Sequence, residues 1–220
     1  MTEPKPQRID RRRVRTRAAL LRAGQQLFSE RSVDGVSIDD IVAAAQVAKG
    51  SFYNHFPDKD ALAQALADQA RASVETTAAV AGAGVADPAE RVARALCVFV
   101  RQAVEHPESS RLMLRLFHGA AVPDAPMNAG VRADIQEGLA AGRFSGIGLE
   151  AAILLAVGAV QIAVARAIER EATNTDALAA DLALGLLRGL GVADAPAVAT
   201  RAASGVFKAH TAAKPQGKLA

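Results

Sequence analysis

The stretch VSIDDIVAAAQVAKGSFYNHFPDKDAL, residues 36–62, decides how this chain folds. Ser37 begins a helix start signal, because its hydroxyl can cap the helix while Asp40, at the N3 position, answers it in a capping box. The apolar residues that follow recur at helical spacing and predict a short helix with one buried face. Residues 46–48 then predict a turn, and a third helix is predicted from Lys49 to Phe56.

Phe52 and Phe56 lie four residues apart and therefore share one face of the predicted third helix. We expect this face to be buried and to hold the helix in place. The remaining i, i+4 pairs form a polar face with hydrogen-bond donors, one glycine and a phenol: Lys49 with Tyr53, Gly50 with Asn54, and Ser51 with His55. Two short helices joined by a turn of three or four residues form a helix-turn-helix, and such a face suits phosphates and base edges. The alternative is that Tyr53 and His55 are packing residues with solvated tips.

Basic residues are concentrated at the start of the chain. The first 17 residues carry seven Lys or Arg and two acidic residues, while the whole chain has a net charge of +3. This arm suits either a solvated tail or nucleic-acid contact. Arginines also follow one face of a first helix, which is predicted from about Arg15 to Glu30.

The segment from Arg17 through ALLRAGQQLF to residues 36–62 resembles the DNA-binding head of the tetracycline-repressor-like (TetR) family of bacterial regulators. The resemblance covers about residues 15–65. It departs from the family at Gln46, where a turn glycine is usual, and at Ala48, where Ser or Thr often caps the helix. If position 46 is left-handed, a residue other than glycine costs on the order of 1 kcal/mol there.

The resemblance implies which side chains contact DNA. Ser51, Tyr53 and His55 match the family's DNA-facing positions, and Lys59 matches its phosphate-contacting lysine. With the neighbouring polar and basic residues, the predicted DNA-binding set is Arg15, Arg17, Ser37, Lys49, Gly50, Ser51, Tyr53, Asn54, His55 and Lys59.

The remaining sequence predicts further helices and no strand, so the chain is expected to be all-α. The predicted spans are 58–77, one from Pro88 to about residue 104, 109–118, 127–141, 149–170, 176–191 and 195–210. Gly142 and Gly146 are expected to break the chain. We divide it into a disordered basic arm (1–14), a helix-turn-helix DNA-binding domain (15–60), a larger helical ligand-binding and dimerisation domain (61–210) and a disordered tail (211–220); helix four, from residue 58, links the two domains.

Residues 149–170 are apolar on nearly every side, yet their uncharged run of 15 residues is short of the roughly 20 apolar residues that span a membrane. We therefore predict no membrane span. With residues 176–191, this helix could form half of an intermolecular four-helix bundle, as the resemblance also implies.

No arrangement of residues typical of an enzyme is found. The four histidines and the single cysteine lack metal-ligand spacing, and no HExxH, GxSxG or phosphate-binding GK[ST] loop occurs. No enzyme activity, metal or cofactor is predicted. Cys97 cannot form an internal disulfide, and no leader segment is evident, so a cytoplasmic protein is expected.

An apolar effector pocket is expected between the helices of the larger domain. Its predicted lining is Leu96, Phe99, Met113, Phe117, Ile135, Leu139 and Leu155, with His118, Gln136 and Gln161 as polar groups. The alternative is that Met113 and Phe117 are plain core.

These features together predict a homodimeric DNA-binding regulator. We expect a repressor that leaves a palindromic double-stranded DNA operator when a small, largely hydrophobic effector binds. The alternative is a helical small-molecule binding or carrier protein whose head domain is only structural.

Overall fold

The computed structural model describes residues 7–115, 128–169 and 174–213. Every regular element in these ranges is a helix, which confirms the all-α prediction. The helices are α1 (Gln7–Glu30), α2 (Ile38–Ala45), α3 (Lys49–Tyr53), α4 (Lys59–Gly82), α5 (Pro88–Glu105), α6 (Pro107–Arg115), α7 (Ala129–Ala140), α8 (Leu149–Ala167), α9 (Thr175–Gly189) and α10 (Ala195–Ala213).

The chain divides into two compact units, Met1–Ala70 and Arg71–Ala220. The division falls within α4, later than the domain boundary that we placed after residue 60. Helix α1 begins at Gln7, before the predicted start at Arg15, so residues 7–14 are helical although the sequence suggested a disordered arm. Their sequence, QRIDRRRV, contains no glycine or proline that would stop the helix from extending.

The first unit is built from short helices with well-defined ends. The predicted capping box is confirmed: Ser37 Oγ accepts a hydrogen bond from the Asp40 backbone N–H at 3.1 Å, and the Ser37 N–H donates to Asp40 Oδ2 at 3.0 Å. Asp58 caps α4 by accepting from the Ala61 N–H at 2.7 Å. Ala48 precedes α3 without a side-chain cap, as the sequence indicated.

The turn between α2 and α3 passes through a left-handed residue. Gln46 has φ 54° and ψ 45° and ends α2, and its N–H donates to Ala43 O at 3.1 Å. The Val47 N–H donates to Val42 O at 3.0 Å, which completes a common helix-ending pattern. Because this conformation brings the side chain of an L-residue close to the backbone, it is usually occupied by glycine.

Helix α5 is the centre of the second unit. It contacts α6, α7, α8, α9 and α10, and its buried residues include Val92, Leu96 and Val100. Asp87 caps it, and Pro88 occupies its first turn as predicted. Cys97 is fully buried, and burial raises the pKa of its thiol to about 12, so it is a small apolar core residue.

Charged side chains fasten the start of α5 to two other segments. The Arg143 guanidinium donates to both Asp87 oxygens, at 2.9 and 2.8 Å, and also to Asp194. The buried Glu90 carboxylate accepts from Arg94 at 2.7 Å and from Arg201 at 3.0 Å. The bidentate hydrogen bond from Arg143 is the main reason why the pKa of Asp87 is lowered.

The connection between α7 and α8 turns sharply at two glycines. Gly142 and Gly146 have φ of 66° and 72°, which confirms that they break the chain. A side chain could not be added at Gly138 either, because a Cβ atom there would lie 2.2 Å from the buried Phe144 ring.

Helix α8 is buried along one face and apolar on the other. Ile153, Val157 and Val164 are buried, whereas Leu154, Leu155 and Ile162 are exposed by 39%, 38% and 68%. Among the helices that the structure describes, it alone is long and apolar enough to cross a membrane. Core helices of soluble proteins meet the same criterion, and α8 contacts α5, α7 and α9. It is less buried than its sequence indicated.

We expect Gln46→Gly to stabilise the first unit. Glycine removes the Cβ strain of a left-handed residue but gives the unfolded chain more freedom, so the net gain should be about 0.5–1 kcal/mol. Urea unfolding would measure it. Gln46→Ala is the matched control, because it keeps Cβ and should bring no gain; equal effects of the two substitutions would contradict the explanation.

Candidate nucleic-acid interface and effector cavity

Two buried aromatic side chains anchor α3. Phe52 is 0% and Phe56 3% exposed, and their ring centroids lie 5.9 Å apart. This confirms that the two phenylalanines face inward. A helix of five residues has little stability of its own, so the burial of Phe52 fixes its position.

The opposite side of α3 carries the residues that the sequence assigned to DNA. Lys49, Gly50, Tyr53 and Asn54 are exposed, and Ser51 and His55 are half-buried. Tyr53 is 52% exposed, and its ring meets the edge of Phe52 with centroids 5.6 Å apart. The Phe52 contact fixes the Tyr53 ring, and about half of the side chain stays exposed to solvent. This arrangement suits a contact with a phosphate or a nucleobase.

Helix α3 ends earlier than predicted, at Tyr53 instead of Phe56. The His55 and Phe56 N–H groups both donate to Phe52 O at 2.9 Å, which makes a tight turn. Pro57 has no N–H to donate to Tyr53 O, so the helical hydrogen bonds cannot continue beyond this turn. Asn54 keeps helical backbone angles, φ −71° and ψ −12°, so Asn54 and His55 continue from α3 in this final turn.

Charges near α3 are partly paired. Lys49 Nζ lies 2.8 Å from Asp39 Oδ1 of α2, and this hydrogen bond raises the pKa of Lys49. The pKa of His55 is lowered, first by burial and then by Arg13 and Arg17. The imidazole is consequently neutral at pH 7 and can both donate and accept hydrogen bonds.

Arginines line a groove along α1 that reaches the turn of the helix-turn-helix. Its walls are Arg11, Arg12, Arg15, Thr16, Ala18, Ala19, Arg22 and Val47. Of the two arginines assigned to DNA, Arg15 lies in this groove, whereas the Arg17 guanidinium lies over the Phe56 ring, 5.2 Å from its centroid. Arg11, Arg12 and Arg22 were missed as individual candidates, although the basic character of the arm and of α1 pointed to them.

Ser37 and Lys59 are engaged within the first unit. Ser37 is exposed, but its hydroxyl belongs to the capping box of α2. Lys59 does not extend into solvent as a phosphate contact would: its ammonium group donates to the carbonyl oxygens of Val33, Asp34 and Val36.

The second unit contains a cavity of about 420 Å³ with mostly small apolar walls. Five helices contribute to it. Its apolar lining consists of Ala78, Ala79 and Gly82 of α4, Ala83 directly after α4, Val92, Ala95 and Phe99 of α5, Gly130, Val131 and Ala133 of α7, Ala156, Val157 and Val160 of α8, and Leu186 of α9.

Two ion pairs supply the polar groups of this cavity. Arg71 and Glu75 of α4 form one, with 2.8 Å between Nε and Oε1, and Arg71 also donates to the buried Asn128 at 3.3 Å. Arg91 and Asp134 form the other at 2.7 Å. Burial raises the pKa of Asp134 despite the hydrogen bond from Arg91. Cations and carboxylates are thus balanced around an apolar space.

The predicted pocket residues lie mostly elsewhere. Phe99 lines this cavity, but Leu96, Met113 and Ile135 are buried in the hydrophobic core, and Leu139 packs against it. Leu155 is partly exposed on α8, and Gln136 and Gln161 are not among the lining residues. Phe117 and His118 lie outside the described residues. Sequence periodicity found the largest apolar side chains, whereas the cavity arises where side chains are small.

No group of three or more His, Cys, Asp or Glu side chains in the described ranges is arranged to hold a metal ion.

Family comparisons agree with this two-part architecture. The pattern described as "Bacterial regulatory proteins, tetR family" matches residues 20–66, and "Tetracyclin repressor-like, C-terminal domain" matches residues 87–201. The chain belongs to the tetR family. This is a family of bacterial regulatory proteins, and one matched relative, DhaR, is a transcriptional repressor.

Sequence relatives match short segments of this TetR-family chain. The HTH-type transcriptional repressor DhaR of Mycobacterium sp. (strain GP1) is 51% identical over 49 residues, which is 22% of this chain and 25% of DhaR. The A-factor receptor protein of Streptomyces griseus is 34% identical over 64 residues, 29% of this chain and 23% of the receptor. The chain thus matches about a quarter of the length of these curated relatives.

Solved structures match most of the chain. RolR in complex with resorcinol is 26% identical with a TM-score of 0.62, and the match covers 96% of this chain and all of RolR. A tetR-family regulatory protein from Rhodococcus RHA1 has a TM-score of 0.64 at 21% identity, over 81% of this chain and 98% of that one, and shows the shared fold.

We expect Tyr53→Ala to weaken DNA binding by roughly 1–3 kcal/mol per half-site, because the exposed phenol is lost while Phe52 and Phe56 stay buried. Fluorescence anisotropy with a duplex selected from random sequences would measure the affinity. Loss of the edge contact with Phe52 should lower the free energy of unfolding by no more than about 1 kcal/mol. Phe52→Ala is the contrasting variant and should lower the free energy of unfolding of the head by about 3–5 kcal/mol. Comparable unfolding by Tyr53→Ala would identify Tyr53 as a core residue instead.

Proposed function

We propose that this protein is a homodimeric repressor that binds a two-fold symmetric operator and is released by a small, largely hydrophobic effector. The observation that carries the proposal is α3, which is anchored by Phe52 and presents Lys49 and Tyr53 beside an arginine-lined groove. Packing alone does not account for such a polar surface. The repressor DhaR, which is 51% identical over 49 residues, supports the same sign of regulation.

The exposed face of α8 supports a dimer. Leu154, Leu155 and Ile162 leave apolar surface in contact with water in a single chain, and a second copy would cover it. A two-fold dimer also presents two recognition helices to successive major grooves, about 34–36 Å apart. Leu186 of α9 is 3% exposed and lines the cavity, so the interface on this helix has to use other residues.

The cavity in the second unit supports effector binding. Its volume of about 420 Å³ suits a small organic molecule, and its small aliphatic walls with Phe99 favour an apolar body. The paired charges at Arg71 and Arg91 suit an effector with few polar groups and little net charge. RolR, which is similar over nearly its whole length, was solved with the small phenol resorcinol. An effector can release DNA only if it binds the DNA-incompetent form more tightly.

Selection of tight-binding sequences from random duplexes tests the function directly. A repressor of this kind should enrich a sequence with two-fold symmetry, and the complex should weaken steeply as salt increases. Recovery of no sequence, together with salt-independent binding, would favour a small-molecule carrier whose head is only structural.

We expect Ile162→Arg to shift the protein from dimer to monomer, because it places an unpaired charge in the proposed interface. Sedimentation velocity would measure the change. Val80→Arg is the matched control, since Val80 of α4 is 70% exposed and lies on another helix. A dimer that tolerates Ile162→Arg would place the interface away from this part of α8.

We expect Ala95→Phe to fill the cavity and to weaken binding of the neutral fluorescent probe N-phenyl-1-naphthylamine at least tenfold, about 1.4 kcal/mol. Fluorescence titration would measure the probe, and affinity for the selected duplex should stay the same. Ala72→Phe adds the same ring at an exposed position of α4 outside the cavity and serves as the control. Unchanged probe binding by Ala95→Phe would place the hydrophobic site elsewhere.

A further inference from the structure

The ammonium group of Lys59, at the start of α4, is enclosed by backbone carbonyls. Its Nζ lies 3.1 Å from Val33 O, 3.2 Å from Asp34 O and 3.4 Å from Val36 O. An ammonium group has three donors and no acceptor, so these hydrogen bonds use its full capacity. All three carbonyls belong to the connection between α1 and α2, which we call the 31–37 connection.

The hydrogen bonds within this connection are local. The Gly35 N–H donates to Ser32 O at 3.0 Å, and the Val36 N–H donates to Val33 O at 3.3 Å. They close a turn but do not attach it to another helix. The ends of the connection are joined to α2 by the Ser37 capping box and by Arg31, which lies 3.6 Å from Asp40. Its middle is held by the buried Val36 side chain, which is 1% exposed, and by Lys59, which reaches it across 23 to 26 residues of sequence.

We propose that Lys59 is a positioning residue for DNA binding: it holds the 31–37 connection, and with it Ser37 at the start of α2, without contacting phosphate itself. This proposal rests on the proposed DNA-binding function. A phosphate contact would require the ammonium group to leave its three carbonyl partners. The lysine therefore acts on DNA through the backbone that it fixes.

Arginine and lysine carry the same charge but differ in shape, so replacing Lys59 by arginine distinguishes the positioning role from an effect of charge alone. A lysine ammonium is compact and can direct three N–H groups to carbonyls that converge on one point. The guanidinium of arginine is planar and spreads its donors in a fork, so Lys59→Arg keeps the charge but not this arrangement. Lys59→Met keeps most of the apolar stem and removes the donors.

Amide hydrogen exchange without DNA tests whether Lys59 holds the 31–37 connection in place. Both Lys59→Met and Lys59→Arg should speed exchange of the Gly35 and Val36 amides at least tenfold, with α9 in the other unit unchanged as an internal reference. Normal exchange at residues 33–37 in Lys59→Met would overturn the proposal.

The salt dependence of binding to a mixed-sequence duplex tests whether Lys59 contacts a DNA phosphate. Loss of one phosphate contact lowers the slope of log affinity against log salt by about 0.9. Lys59→Met and Lys59→Arg should both bind about tenfold more weakly with the wild-type slope, whereas Lys49→Met, the control at an exposed lysine of α3, should lower the slope. A lower slope in Lys59→Met, or full affinity in Lys59→Arg, would make Lys59 a phosphate contact. If the wild type bound no DNA, the proposed function would fail. The exchange experiment would still show whether Lys59 holds the 31–37 connection in place.

Discussion

The burial of Phe52 is the constraint on which the proposed DNA-binding surface depends. Helix α3 has five residues, too few to form a stable helix in water, and it lacks a side-chain cap at Ala48. Its position is set by Phe52 and Phe56, both of which are nearly inaccessible to solvent. Because these two rings face inward, Lys49, Gly50 and Tyr53 are left on the outside. Packing and recognition are therefore consequences of one short sequence pattern.

The two units are stabilised in different ways. The first relies on helix ends: the Ser37–Asp40 capping box, the Asp58 cap, and the hydrogen bonds of Lys59 to the 31–37 connection. The second is organised around a buried helix, α5, whose Glu90 carboxylate is tolerated because two arginines reach it. Small residues in that unit leave a cavity where larger ones would have completed the core.

Local chemistry explains which parts of this structure could be predicted. The capping box, the inward phenylalanines and the glycine breaks at 142 and 146 depend on a few neighbouring residues, so the sequence identified them. The end of α3 was placed at Phe56, directly before Pro57, because the helical spacing continues to that residue; the hydrogen bonds of the His55 and Phe56 N–H groups to Phe52 O, which end the helix earlier, are not visible in the spacing. The cavity lining was largely missed, since Ala95 or Gly130 becomes a wall only when several helices pack around it. The carbonyl partners of Lys59 could not be identified for a similar reason, because they lie 23 to 26 residues away.

Helix α1 combines an extended length with like charges. Arg11 and Arg15, and Arg13 and Arg17, lie four residues apart, and such pairs repel each other by a few tenths of a kcal/mol each. Positive charge near a helix N-terminus also opposes the helix dipole. Under the proposed function, DNA beside the Arg11–Arg15 pair would offset the repulsion within that pair and the unfavourable interaction with the dipole, so we expect the first turns of α1 to gain helical stability on binding. We then expect part of the salt sensitivity of binding to come from a helix–coil equilibrium within the protein, in addition to the ions released from DNA.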